Sequence, residues 1–164
     1  MVPYDPSWPR VFERIRERVA SALGPIALDI VHIGSTSVPG LAAKPIVDVD
    51  VVVAAATDIS RVVGTLSKVG YVYEGEKGVD GRHAFEQPRD LPPHHLYVCA
   101  SDNPELKRHI AFRDFLRGNP QEASAYATLK KDLADRFGSD REGYTNAKSA
   151  FIAEVLSRLL RESR

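Results

Sequence analysis

In the run Ile46-Val47-Asp48-Val49-Asp50-Val51-Val52-Val53, two carboxylates stand two residues apart in an otherwise apolar stretch. Such a stretch reads as a strand, where alternate residues share a face, so Asp48 and Asp50 point one way while Val47, Val49 and Val51 point the other. Burying two neighbouring negative charges is costly unless one carboxyl keeps a proton or a cation lies between them. A hard divalent ion, Mg2+ or Mn2+, takes oxygen ligands, keeps some of its water and completes its shell from phosphate. The pattern therefore predicts a metal on Asp48 and Asp50 together with a phosphorylated ligand. At an exposed strand end the same pair would make ordinary salt bridges, and the spacing alone leaves both readings open.

Upstream, Leu28, Ile30 and Ile33 mark a short strand over Ala27–Ile33 that runs into Gly34-Ser35-Thr36. A glycine at a strand end lets backbone amides approach a phosphate, and the hydroxyls that follow add donors. The alternative is a plain turn with Ser35 or Thr36 as a helix N-cap. Lys44, held between Ala43 and Pro45, and Arg82 and His83 on a neighbouring strand are further candidates for a triphosphate, with ordinary surface exposure as the alternative for each. Tyr126 with Lys130 and Tyr144 with Lys148 are spaced i, i+4, setting a ring beside an ammonium on each of two helices. That arrangement suits stacking a base and neutralising a phosphate, or a solvated face where each lysine covers its tyrosine. His32 reads as a core histidine, and Arg113-Asp114 as a structural salt bridge.

The elements that must position these groups follow from periodicity. Val11, Ile15, Val19, Ala22 and Leu23 predict a helix from Trp8 to Leu23, stopped by Gly24-Pro25. Ile59, Val62, Val63, Leu66 and Val69 predict a second helix, capped by Thr57 or Asp58 and closed by Gly70. Tyr71–Glu74, Arg82–Glu86 and His94–Ala100 read as three strands whose short connections favour antiparallel pairing. Asn103-Pro104 opens a helix through Arg117, followed by helices over Pro120–Phe137 and Glu142–Arg161. Strands followed by helices predict an α+β domain spanning 1–164, with a mixed sheet, flanking helices and a helical C-terminal layer.

The strand ending in Ile33-Gly34-Ser35, twelve residues from Thr36 to Val47 and then Asp48-Val49-Asp50 resemble the signature of the nucleotidyltransferase superfamily. Over almost the whole chain the sequence is similar to the GrpB-like family. The resemblance runs through Tyr4-Asp5-Pro6, His32-Ile33-Gly34-Ser35-Thr36, Val38-Pro39-Gly40-Leu41, Ala43-Lys44-Pro45, His95-Leu96-Tyr97-Val98, Phe112-Arg113-Asp114 and Tyr126-x-x-Leu129-Lys130. It implies the superfamily fold and a metal-dependent transfer of a nucleoside monophosphate from a nucleoside triphosphate to an acceptor it does not identify. It also makes Lys130 and Lys148 candidates for the phosphates. Active superfamily members add a third carboxylate from a later strand, but here that strand reads His94-His95-Leu96-Tyr97-Val98. His95 then takes the place of the acid, as a base or a phosphate ligand, which weakens a second magnesium site. One-metal chemistry and binding without chemistry both follow. Related domains fused to dephospho-coenzyme A kinase imply, as the alternative, an accessory module that binds a nucleotide or a coenzyme A precursor.

The 164 residues suit one domain, and 43% apolar and 27% charged residues are those of a globular protein. Lys plus Arg and Asp plus Glu each total 22, so the net charge is zero and duplex nucleic acid is not an expected partner. The single Cys99 and the absence of a leader or a long apolar run predict a cytoplasmic protein without a membrane span.

Overall fold

The computed structural model describes residues 1–163. In chain order the elements are α1 (Trp8–Leu23), β1 (Asp29–Ile33), β2 (Val47–Val53), α2 (Ile59–Ser67), β3 (Val72–Gly75), β4 (His83–Glu86), β5 (His94–Ala100), α3 (Pro104–Gly118), α4 (Pro120–Phe137) and α5 (Arg141–Glu162). The strands form one mixed sheet in the order β1-β2-β5-β4-β3. β2 and β5 run parallel, and the remaining pairs are antiparallel. A parallel pair needs a long crossover, supplied here by α2 and the β3–β4 hairpin. The alternation read from β2 is what fixes the two faces of the sheet.

On one face Val47, Val49, Val51 and Val53 meet Leu96 and Val98 of β5, covered by Ile15 and Val19 of α1 and by Val62 and Leu66 of α2. Of these ten, Val47 and Leu96 are 1% exposed and the other eight show no exposure. On the other face the C-terminal helices close over Val31, Ile33, Val52 and Cys99 through Leu106 and Ile110. Val38 and Leu41 pack there with Leu116, Ala123 and Tyr126. Asp48 and Asp50 belong to this second face, so the helical layer decides what reaches them. Burial pushes the Cys99 thiol up to about 12, which makes it an inert packing group.

Boundaries shift from the sequence reading where turns claim a residue. Ala27 donates to Gly24 in a tight turn and Leu28 is 58% exposed, so β1 begins at Asp29. Arg82 donates its amide to Val79 and precedes β4, while buried Tyr71 gives its hydroxyl to His94 before β3 starts. At α3 the expected cap is present: the Asn103 side chain accepts from the Glu105 amide at 2.8 Å.

Candidate active site

β2 lies between β1 and β5, and the register sets Asp48 beside Ile33 and His95, and Asp50 beside Val31 and Tyr97. The Asp48 side chain is 29% exposed and that of Asp50 is 2% exposed. Asp48 Oδ1 accepts from His95 Nδ1 at 3.0 Å. That hydrogen bond holds the imidazole above its ordinary value against the opposing effect of burial. Asp50 Oδ2 accepts from His109 Nδ1 at 2.9 Å, whereas its buried Oδ1 has no partner. His109 comes from α3, with Nε2 3.9 Å from Glu105 Oε2.

The glycine turn closes against the first carboxylate. Gly34 has φ +74°, and a methyl group built on it would overlap Asp48 Oδ2 and come within 3.1 Å of Asp48 Cβ and Cγ. Only glycine combines that conformation with that approach. The Ser37 amide holds the turn by donating to Gly34 O at 3.1 Å. Ser35 Oγ accepts from Lys130 Nζ at 2.8 Å, and the same ammonium donates to Ala42 O at 3.0 Å.

Lys130 is 4% exposed and both of those partners are neutral oxygens. Burial, and then the nearby Lys148, pull it down to about 8, while Asp48 opposes the shift. Lys148 is likewise lowered by burial, raised by Asp48 and lowered again by Lys44. The turn thus has a carboxylate on one side and a poorly compensated set of ammonium groups on the other. A folded value near 8, below the ordinary 10.5, means the free protein releases this proton before the unfolded chain does. Stability contributed at Lys130 therefore rises as pH increases from about 8 toward 10.5. Binding of an anion such as pyrophosphate should move oppositely, weakening by up to about tenfold per pH unit above that value. Calorimetry at pH 7 and pH 9 measures this slope, and in Lys130→Met it should be absent.

The other predicted residues divide. Thr36 is turned away: it is buried, and its Oγ1 meets His32 Nε2 at 2.9 Å, so its hydroxyl serves the core instead of the turn. His32 stacks on Phe12 with ring centroids 4.8 Å apart, and burial lowers it to about 4, as befits a core histidine. Tyr126 cannot stack a base, because Phe112 and Phe151 already cover its ring. Tyr144, beneath Lys148 at 5.4 Å, is only half-buried. Lys44 is exposed, on the loop pinned by the Val2–Ala43 bridge. Arg82 stands apart from the lysines, its guanidinium 4.2 Å from the Tyr97 ring centroid. His83 pairs with Val98 and so faces the opposite side of the sheet, bonded to the Tyr73 hydroxyl.

Arg113 pairs with Asp114 at 2.8 Å and also donates to His32 O, while Arg117 donates to Ser37 O. These arginines seal the open edge of β1 along a cleft of about 590 Å³ that lies away from the carboxylates.

Asp48 and Asp50 fit a hard cation: both are oxygen donors on one strand face, and one buried oxygen is unclaimed. Among the described residues no group of three or more His, Cys, Asp or Glu is disposed around such an ion. Its remaining ligands would have to be phosphate and water, the mixture magnesium prefers. His109 and Tyr97 are the site residues that sequence reasoning missed. The i, i+4 spacing of Glu105 and His109 was a legible signal, but which strand α3 would cover was not.

The profile of the GrpB protein family matches residues 1–158. The Glutamate-rich protein GrpB of Alkalihalophilus pseudofirmus is 32% identical, over 97% of this chain and 94% of its own. UPF0157 protein YqkA of Bacillus subtilis is 36% identical over 93% of the chain, which spans only 44% of that relative. A dephospho-CoA kinase of Mycolicibacterium paratuberculosis is 26% identical over 96% of the chain and 45% of its own length. The crystal structure of GrpB from Enterococcus faecalis superposes with a TM-score of 0.85 at 37% identity, covering 99% and 98% of the two chains. Cid1 in complex with the UTP analog UMPNPP aligns with 82% of this chain and 43% of its own at a TM-score of 0.54 and 13% identity, a likeness of fold. Among the described residues no helix is long and apolar enough to cross a membrane. Matched along nearly its whole length by the family profile and by relatives above 30% identity, this chain belongs to the GrpB family and has the nucleotidyltransferase fold.

Proposed function

We propose that the chain transfers a nucleoside monophosphate from a nucleoside triphosphate to an acceptor hydroxyl, in the cytoplasm, with magnesium held by Asp48 and Asp50. The observation that carries this reading is the placement of buried Lys130, with Lys148 nearby, across the Gly34-Ser35 turn from Asp48. A triphosphate laid on the turn would answer the lysine charge on one side and bring phosphate oxygens to the carboxylates on the other. A bound magnesium ion would supply neutralisation of charge on the phosphoryl oxygens. Ser35 and the turn amides hold the phosphate chain, and Lys130, Lys148 and Lys44 lower the cost of gathering its charge.

The acceptor oxygen forms a bond to the α-phosphorus, the bond to the bridging oxygen breaks, and pyrophosphate leaves. His95 receives the acceptor proton on Nε2, since its Nδ1–H is held by Asp48 and the same carboxylate stabilises the imidazolium that results. Titration of the full chain with a panel of nucleoside triphosphates, with and without magnesium, tests the reading. Magnesium-dependent binding of one nucleotide, weakened at least tenfold in Lys130→Met, is expected. Binding to none, or binding indifferent to magnesium, would end it.

A second reading is an accessory module that holds a nucleotide or coenzyme A precursor beside a partner such as a dephospho-coenzyme A kinase. It is supported by the histidine where an acid is expected and by the relative of that name. Magnesium-dependent binding without pyrophosphate release across a broad set of acceptors would favour it.

A further inference from the structure

Among the described residues three buried side-chain atoms lack a hydrogen-bond partner: Asp50 Oδ1, Arg82 Nε and Arg158 Nε. Arg158 at least pairs with Glu122 at 3.4 Å. The other two lie on one face of the sheet, on either side of Tyr97. Asp50 pairs with Tyr97 across β2–β5, and Ala84 of β4 pairs with Tyr97 from the other side. Two residues before Ala84, Arg82 shares that face and lays its guanidinium 4.2 Å from the Tyr97 ring centroid. Its charge is felt with that of Asp50 at both Tyr97 and Cys99. Asp50 Oδ1 is the oxygen left open for the cation, so Arg82 Nε is the unanswered cationic donor of this face, the complement of an anionic group on a ligand whose hydroxyl reaches His95.

From this geometry we infer that Arg82 binds the acceptor, which is a small alcohol carrying a phosphate or carboxylate. The inference rests on the transfer reading for the acceptor's role, though not for the existence of the anion subsite. The lysine cradle lies beyond Asp48 on the Ser35 side, so Arg82 is free to select the second substrate. His95 and Tyr97 are alternate residues of β5 on this face, with ring centroids 6.3 Å apart. A hydroxyl at His95 and an anion at Arg82 therefore span roughly 7 Å, two residues of strand, the reach of a short phosphorylated or carboxylated chain. The planar guanidinium, pre-oriented by the ring beneath it, offers Nε–H and its terminal nitrogens as a fork for two anionic oxygens. A neutral alcohol would leave that donor buried and unanswered, which is the source of discrimination.

The probes are glycerol 3-phosphate, glycerate and glycerol, added to the full chain loaded with magnesium and a non-hydrolysable nucleoside triphosphate. The readout is the Arg82 side-chain Nε–H resonance, assigned by its loss in Arg82→Gln. Saturable shifts with the two anions and none with glycerol are expected, with affinity at least tenfold lower in Arg82→Gln and partly kept in Arg82→Lys. No shift, or the same shift with glycerol, overturns the inference. A shift that disappears in Lys130→Met but survives unchanged in affinity in Arg82→Lys and Arg82→Gln protein, followed there through backbone amides, also overturns it, because the anion then occupies the triphosphate cradle. Nucleotide binding with a silent Arg82 would keep the transfer reading and remove this one. A responsive Arg82 in protein that binds no nucleotide would do the reverse, keeping the anion subsite without the transfer.

Discussion

Replacing Gly34 by alanine should abolish magnesium-dependent nucleotide binding, a loss of at least about 100-fold, or about 2.8 kcal/mol. It should also destabilise the fold by about 1–3 kcal/mol. Two effects combine. The positive φ of +74° costs any residue with a Cβ, and the new methyl would occupy the space of Asp48 Oδ2. Asp48 must then swing off the turn, taking its bond to His95 and its place beside Asp50 with it. Gly40 provides the comparison, since it has φ +82° but nothing within 4 Å of an added Cβ. Gly40→Ala should therefore show the backbone cost, about 1–2 kcal/mol, with nucleotide affinity intact. Urea unfolding and calorimetry on both variants measure the contrast. Equal losses of affinity, or none in either, would mean the close packing of turn on carboxylate has no part in binding.

Asp50→Asn should separate stability from function in the opposite sense. Asp50 is 1% exposed, with one oxygen on His109 and the other without a partner. An amide of the same shape keeps an acceptor for His109 Nδ1–H and removes the desolvation cost of a buried charge. The variant should unfold at the same or a higher temperature, while magnesium-dependent nucleotide binding falls at least about 100-fold, about 2.8 kcal/mol. If His109 and Asp50 were instead a structural ion pair, losing one charge would cost about 3–5 kcal/mol. A stability drop of that size with nucleotide binding preserved would refute the metal-site assignment for Asp50. Melting curves taken with and without magnesium decide the matter.

This trade is the usual consequence of placing charge where folding alone would not. Asp48 and Asp50 occupy the face of β2 on which only Val52 joins an apolar cluster, and Val47, Val49 and Val51 secure the strand from behind. The strand can therefore hold an unfavourable pair without losing its register, because the energy that fixes it comes from the opposite side. Lys130 shows the same logic from α4: its stem crosses a buried layer, and its ammonium reaches two neutral oxygens at the turn.

The sequence by itself determined the local features: which segments are helix or strand, where α3 is capped, that Asp48 and Asp50 share a face, and that the Gly34 turn sits at a strand end. These depend on residues within a few positions of one another, where period and steric preference act directly. It also carried the family resemblance and the mixed α+β sheet. What only the tertiary structure decided was the set of partners reached across long separations. Lys130 meets Ser35 from 95 residues away, and His109 meets Asp50 from 59. The side of the sheet faced by Arg82 and His83, and the diversion of Thr36 to His32, were decided at the same level. Periodicity tells that a helix has a buried face, but the strand beneath that face follows from how the whole sheet is ordered and crossed, a choice made by many weak packing contacts acting together.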